Sequence, residues 1–226
     1  MSDRPPAGSR RTVVKVCGLT RREDAAWALE CGADWLGFIV HGESPRRIDP
    51  ARAAEIVDAL GAQGTDRPWT AVAVMVGVTP EQALDLARRA HAQRVQLHGV
   101  AAADWPEDFP IPCAIVAGVG PDGALVGEEP ALRHLLMLDT AAAGGGGGTG
   151  RTWPWAAARP IAARRDVLLA GGLNDENVAD AVRALRPFGV DASSGLETAP
   201  GIKDAGRVRR FVDAVRACEP SPEGAR

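Results

Sequence analysis

The sequence predicts an α/β fold: a single (β/α)8 TIM barrel, with a parallel eight-stranded barrel inside outer helices. Three observations lead there. Eight short apolar runs rich in Val, Ile and Leu alternate with helical stretches along nearly the whole chain, the pattern of parallel strands joined by right-handed helical crossovers. The 226 residues suit a one-domain barrel, commonly about 250 residues and as few as about 200. No GxGxxG follows the first run, so nothing favours an open dinucleotide-binding sheet.

The elements follow in order. TVVKVC (12–17) is a β-branched first strand closed by Gly18, and Thr20 is placed to cap the helix that starts at RRED. ADWLGFIV (33–40) is the second strand, followed by a helix around 50–60. WTAVAVMVGV (69–78) is the third, and Thr79–Pro80 opens the next helix with proline at its favoured first position. VQLH (95–98), IPCAIVAGV (111–119) and RHLLMLDT (133–140) supply strands four to six, with weakly written helices after each. DVLLAGG (166–172) is the seventh, with Asn174 as the expected cap of the following helix. GVDASSG (189–195) is the eighth, and a helix over 203–217 closes the chain.

The expected organisation is a catalytic barrel over 12–218, with disordered tails at 1–11 and 219–226. The glycine run at 144–148 has barrel-type strands on both sides, so it reads as a mobile loop over the strand ends rather than a linker. Aromatics at 4% with no Tyr imply a core of small aliphatic side chains, and a net charge of −3 gives no basic footprint for nucleic acid. The four cysteines form no CxxC pair, which points to reduced thiols in a cytoplasmic protein with no metal site. No apolar run approaches the length of a membrane span.

A β/α barrel carries its active site at the C-terminal strand ends. Those ends hold Cys17, the HGESPRR loop (41–47), Gln96 and His98, Asp139, Gly171–Gly172 and DASSG (191–195). Three small-residue turns on adjacent strands, around Gly148, at Gly171–Gly172 and at Ser193–Ser194, suit a phosphate, because their backbone N–H groups can approach an anion closely. Lys15 shares a strand face with Cys17, and a cation there is expected to depress the thiol pKa and favour a thiolate base. Asp139, after the apolar HLLML stretch, is expected to hold its proton near neutrality as an acid. Arg46, stiffened by Ser44–Pro45 and next to Arg47, suits a substrate carboxylate. His98 reads as a neutral hydrogen-bonding group.

The stretches VKVCGLT (14–20), GADWLGF (32–38), SPRR (44–47), VQLHG (95–99), LDT (138–140), GGTG (147–150), AGGLNDENV (170–178) and VDASSGLE…PGIKD (190–204) together resemble phosphoribosylanthranilate isomerases. The resemblance implies a cofactor-free isomerase of tryptophan biosynthesis acting on a small phosphoribosyl substrate by an Amadori rearrangement. It implies Cys17 as general base and Asp139 as general acid, with Arg46 on the anthranilate carboxylate. It also implies His98 and Asp191 along the sugar, and Gly148, Gly171, Gly172, Ser193 and Ser194 around the phosphate. Gly77, Val116, His41 and Trp153-Pro154-Trp155 depart from the family pattern of Asn, Lys, an aromatic and Phe-Asp-Trp at those positions. The competing readings are another phosphosugar barrel, such as a histidine-pathway isomerase with aspartate at the position of Cys17, and a phosphosugar-binding barrel with impaired catalysis. A monomer is expected, with a dimer left open.

Overall fold

The computed structural model describes residues 11–65, 67–140 and 152–219. Eight strands form the barrel: β1 (Val13–Val16), β2 (Trp35–Ile39), β3 (Thr70–Val76), β4 (Arg94–His98), β5 (Cys113–Val119), β6 (Leu135–Thr140), β7 (Val167–Leu169) and β8 (Gly189–Ala192). All pair in parallel with their sequence neighbours, and β1 pairs with β8 from Val13↔Gly189 to Val16↔Ala192, which closes the sheet. The strands are shorter than the apolar runs that announced them, because the last residues of several runs leave the ladder to form the rim.

Helices α1 (Arg22–Cys31), α2 (Pro50–Gln63), α3 (Pro80–Arg89), α4 (Arg159–Ala162), α5 (Val178–Leu185) and α6 (Ala205–Arg216) surround the barrel. The cap expected at Thr79 is present: its hydroxyl accepts from Gln82 N while the Gln82 side chain accepts from Thr79 N. Thr20 does not cap α1, because its hydroxyl donates instead to Gly201 O at 2.6 Å and Arg21 precedes the helix without a side-chain cap. Asn174 does not cap α5 either. Its carboxamide oxygen accepts from Glu176 N and Asn177 N, making an Asx-type turn three residues before the helix.

The weakly written side of the chain is also the least helical. After β4 comes only a 3₁₀ turn at Ala102–Asp104, and after β5 a short strand, Leu125–Val126, folds back antiparallel on it. Buried Arg165 ties down the segment leading into β6, donating to the carbonyls of Pro130, Ala131 and His134. No described helix is long and apolar enough to cross a membrane.

Two apolar clusters divide the interior. The larger lies between sheet and helices, and the smaller fills the barrel with Cys17, Trp35, Val72, Val74, Met137, Leu168 and Ala170. At the N-terminal end, Arg94 stacks its guanidinium 4.4 Å over the Trp35 ring, which also meets Phe188 at 5.8 Å. This bulky plug leaves the polar inward-facing residues for the opposite end.

Candidate active site

Period-two alternation aims Lys15 and Cys17 of the first strand segment into the barrel, with Gln96 and His98 from β4, Asp139 from β6 and Asp191 from β8. Lys15 is fully buried, and its Nζ donates to Asp191 Oδ1 at 2.8 Å. Adjacent registration of β1 and β8, Lys15↔Asp191, makes this pair possible. Burial by itself would lower the Lys15 pKa, but the Asp191 carboxylate and the Cys17 sulfur together outweigh it and the ammonium is held above its ordinary value. A buried charge must be paired, and here the two strands pair it.

The space beside Cys17 depends on Gly37 of β2. A Cβ there would lie 2.8 Å from Cys17 Sγ and 3.0 Å from Lys15 Nζ. Burial pushes the Cys17 thiol pKa up, and the nearby Lys15 charge only partly opposes it. Lys15 does pull the thiol pKa down, as expected of a cation, but burial outweighs it and the net shift is upward. The lysine's charge is already held by Asp191, whose own negative charge raises the thiol further.

The Asp139 carboxyl keeps its proton to a higher pH than an ordinary carboxylate does. Burial and then the Asp191 charge push its pKa up to about 6, against the opposing N–H of Thr140 and the charge of Lys15. The Thr140 N–H donates to Oδ1 at 2.7 Å. The Lys15–Asp191 pair therefore acts electrostatically on both Cys17 and Asp139. His98 lies 2.9 Å from Gln96, Nε2 to Nε2, and burial together with Lys15 pulls its pKa down to about 4. It is a neutral imidazole near pH 7.

The turn after β7 requires glycine twice: Gly171 has φ +89° and Gly172 φ +68°. A Cβ on Gly171 would come within 2.4 Å of Thr140 Oγ1 and 2.7 Å of Thr140 N, so the turn packs on the end of β6 beside Asp139. Gly195 packs as tightly on Leu173 O, where a Cβ would lie 2.3 Å away. The turns after β7 and β8 thus abut. Among the described residues, the N–H groups of Gly171, Gly172, Ser193 and Ser194 donate to no other backbone group. Gly148 lies outside the described residues.

Arg46 reaches the same rim, with Cδ 2.6 Å from where a Cβ of Gly18 would stand; Ser193 Oγ is 2.8 Å from the same point. Ser44 Oγ accepts from Arg46 N, which stiffens the loop as expected. The guanidinium is not wholly open to a ligand: Nε and Nη2 are bound to Glu197. Arg47 is exposed. Glu197 and Lys203, which the residue-by-residue reading passed over, sit on a short hairpin, Glu197–Ala199 with Ile202–Lys203, after β8. The Pro200–Gly201 dipeptide between them was the available turn signal.

The positions that depart from the family pattern are structurally simple. Gly77 has φ +63°, a left-handed conformation that asparagine also adopts. Val116 is a half-buried interior residue of β5. His41 Nδ1 lies 3.1 Å from Val76 O, and Trp153 is buried.

Comparisons with known proteins agree with this geometry. The family described as N-(5'phosphoribosyl)anthranilate (PRA) isomerase matches residues 14–214. The N-(5'-phosphoribosyl)anthranilate isomerase of Trichlorobacter lovleyi is 39% identical over 204 residues, covering 88% of this chain and 95% of that protein. The crystal structure of phosphoribosyl anthranilate isomerase from Thermotoga maritima is 32% identical with a TM-score of 0.76, covering 91% of this chain and 99% of that one. A phosphoribosyl anthranilate isomerase solved with reduced 1-(o-carboxyphenylamino)-1-deoxyribulose 5-phosphate is 30% identical with a TM-score of 0.72, over the same shares. With a closed barrel, a polar rim at its C-terminal end and this likeness over nearly its full length, the chain belongs to the N-(5'-phosphoribosyl)anthranilate isomerase family.

Proposed function

We propose that this chain isomerises N-(5′-phosphoribosyl)anthranilate to 1-(o-carboxyphenylamino)-1-deoxyribulose 5-phosphate, a step of tryptophan biosynthesis, with Asp139 as acid and Cys17 as base. The observation that carries the reading is a buried Lys15–Asp191 pair acting on both groups, with Asp139 held up to about 6. Asp139 gives its proton to the furanose ring oxygen. The C1′–O bond breaks toward that oxygen, and the amine lone pair forms a cationic Schiff base. Cys17 then removes the C2′ proton, and the released electrons form the C1′–C2′ double bond while neutralising the nitrogen. The resulting enolamine tautomerises to the ketone.

A thiol pushed up by burial becomes a usable base in this order of events. The Schiff-base cation appears beside it only after the acid has acted, and a nearby cation favours the thiolate. Gly171, Gly172, Ser193 and Ser194, together with Gly148, are assigned to the phosphate. Arg46 is assigned to the anthranilate carboxylate, and His98 and Asp191 to the sugar hydroxyls. Residues 12–218 are assigned to the catalytic barrel. A cytoplasmic enzyme fits four free cysteines, and the expected assembly is a monomer, with a dimer left open.

Turnover, followed as loss of anthranilate-type fluorescence, is expected to fall by about 10³-fold or more in Cys17→Ala and in Asp139→Asn. Full activity in either variant would sink the mechanism. Complementation of a tryptophan auxotroph lacking this step, with Cys17→Ala as control, tests the activity in cells.

A further inference from the structure

The hairpin after β8 carries a charge cluster that the proposed chemistry leaves unused. Glu197 is buried and accepts from Arg46 Nε at 2.9 and 3.0 Å and from Nη2 at 2.8 Å. Lys203, also buried, donates to the same carboxylate, Nζ to Oε1 at 2.6 Å, and to the carbonyl of Ser193 at 3.1 Å. Among the described residues, Arg46 Nη1 has no hydrogen-bond partner.

An arginine–glutamate pair alone is neutral, and its carboxylate would repel a second one. The ammonium of Lys203 changes that balance, leaving the three-residue cluster with one net positive charge. The planar guanidinium fork makes the pairing directional. Glu197 occupies the Nε side, so the Nη1 end remains for a ligand.

We infer that Lys203 sets the affinity for the carboxylate of the substrate, by neutralising Glu197 so that Arg46, oriented by Glu197, presents a net positive charge to the site. This rests on Arg46 as the carboxylate-binding residue. Glu197 and Lys203 touch no reacting atom and are positioning residues.

The test titrates the full chain calorimetrically with two ligands. One is reduced 1-(o-carboxyphenylamino)-1-deoxyribulose 5-phosphate, and the other is its counterpart lacking the ring carboxylate. Lys203→Met is expected to weaken the carboxylated ligand about tenfold or more and the other by less than about threefold. In turnover the same variant is expected to raise KM while kcat stays within about threefold. The double variant Glu197→Gln/Lys203→Met removes both charges and leaves Arg46 positive, so it is expected to bind the carboxylated ligand within about threefold of the unaltered protein.

Equal losses for both ligands in Lys203→Met, the mark of a merely structural role, overturn the inference. The double variant contains no unpaired buried charge and decides the matter even if the single one does not fold. If it binds the carboxylated ligand no better than Arg46→Ala does, the inference fails. Arg46→Ala separates the two levels. If it weakens both ligands alike, Arg46 does not hold the carboxylate and the underlying reading falls. If it abolishes the preference while Lys203→Met keeps it, only the role of Lys203 falls.

Discussion

Burial raises the pKa of both Asp139 and Cys17, and the same shift has opposite consequences for an acid and a base. It keeps a proton on Asp139 at higher pH, and it withholds the thiolate from Cys17. With Asp139 required protonated and Cys17 required ionised, kcat/KM is expected to rise with pH up to about 6, stay level, and fall only above the raised thiol pKa. A profile whose lower limb lies at ordinary carboxylate values, near pH 4, would count against Asp139 as the acid. The same group affects stability. Its pKa is higher folded than unfolded, so the folded state gains stability as pH falls through about 6 toward the ordinary carboxylate range and loses it at neutral pH. The neutral isostere Asp139→Asn is therefore expected to unfold at higher denaturant at pH 7, by up to roughly 3 kcal/mol, while being inactive. His98 works in the other direction. Its depressed pKa, about 4, gives stability present above its unfolded value and lost as pH falls toward 4. Asp139→Asn should thus also expose an acid-side loss of stability between about pH 6.5 and 4 that Asp139 otherwise offsets.

At the scale of single elements, two glycines keep the site open for different reasons. Gly37 sits within β2 and outside the left-handed region, and its missing side chain makes room for Cys17 Sγ and Lys15 Nζ. Gly37→Ala is expected to fold but to lower kcat by at least about tenfold, since the added methyl must displace the base or its cation. Gly171 instead combines a left-handed φ with a backbone contact. Gly171→Ala is expected to cost about 2 kcal/mol or more in urea unfolding and to weaken inhibition by inorganic phosphate. An unchanged phosphate inhibition constant would argue against the turn as an anion site. Sequence reasoning located these turns because glycines and serines at strand ends are visible one position at a time. It placed caps at Thr20 and Asn174 that the structure does not form, because their side chains are taken by partners outside the helix they precede: Gly201 O for Thr20, and a preceding turn for Asn174.

The whole barrel separates stability from function along its axis. Its N-terminal end is filled by Trp35, Phe188 and the stacked Arg94, and its C-terminal end by the ionisable residues. Trp35→Ala is expected to destabilise by about 3–5 kcal/mol while kcat changes less than about threefold. A large loss of kcat at retained fold would show that the plug transmits to the rim. Closure itself brings the first and last strands together, so that Lys15 and Asp191, 176 residues apart, become direct partners.

The sequence by itself determined the eight strands, the rim they form and which residue types stand on it, because strand alternation is local and the barrel assigns inward and outward faces to every strand. The cationic effect expected of Lys15 on Cys17 is outweighed by burial inside the closed barrel and weakened further by the Asp191 charge from the far end of the chain, and the fork of Arg46 was found bound to Glu197, 151 residues away. Burial and charge pairing decide both outcomes. Both depend on distances between segments remote in sequence, and only the closed tertiary structure sets those distances.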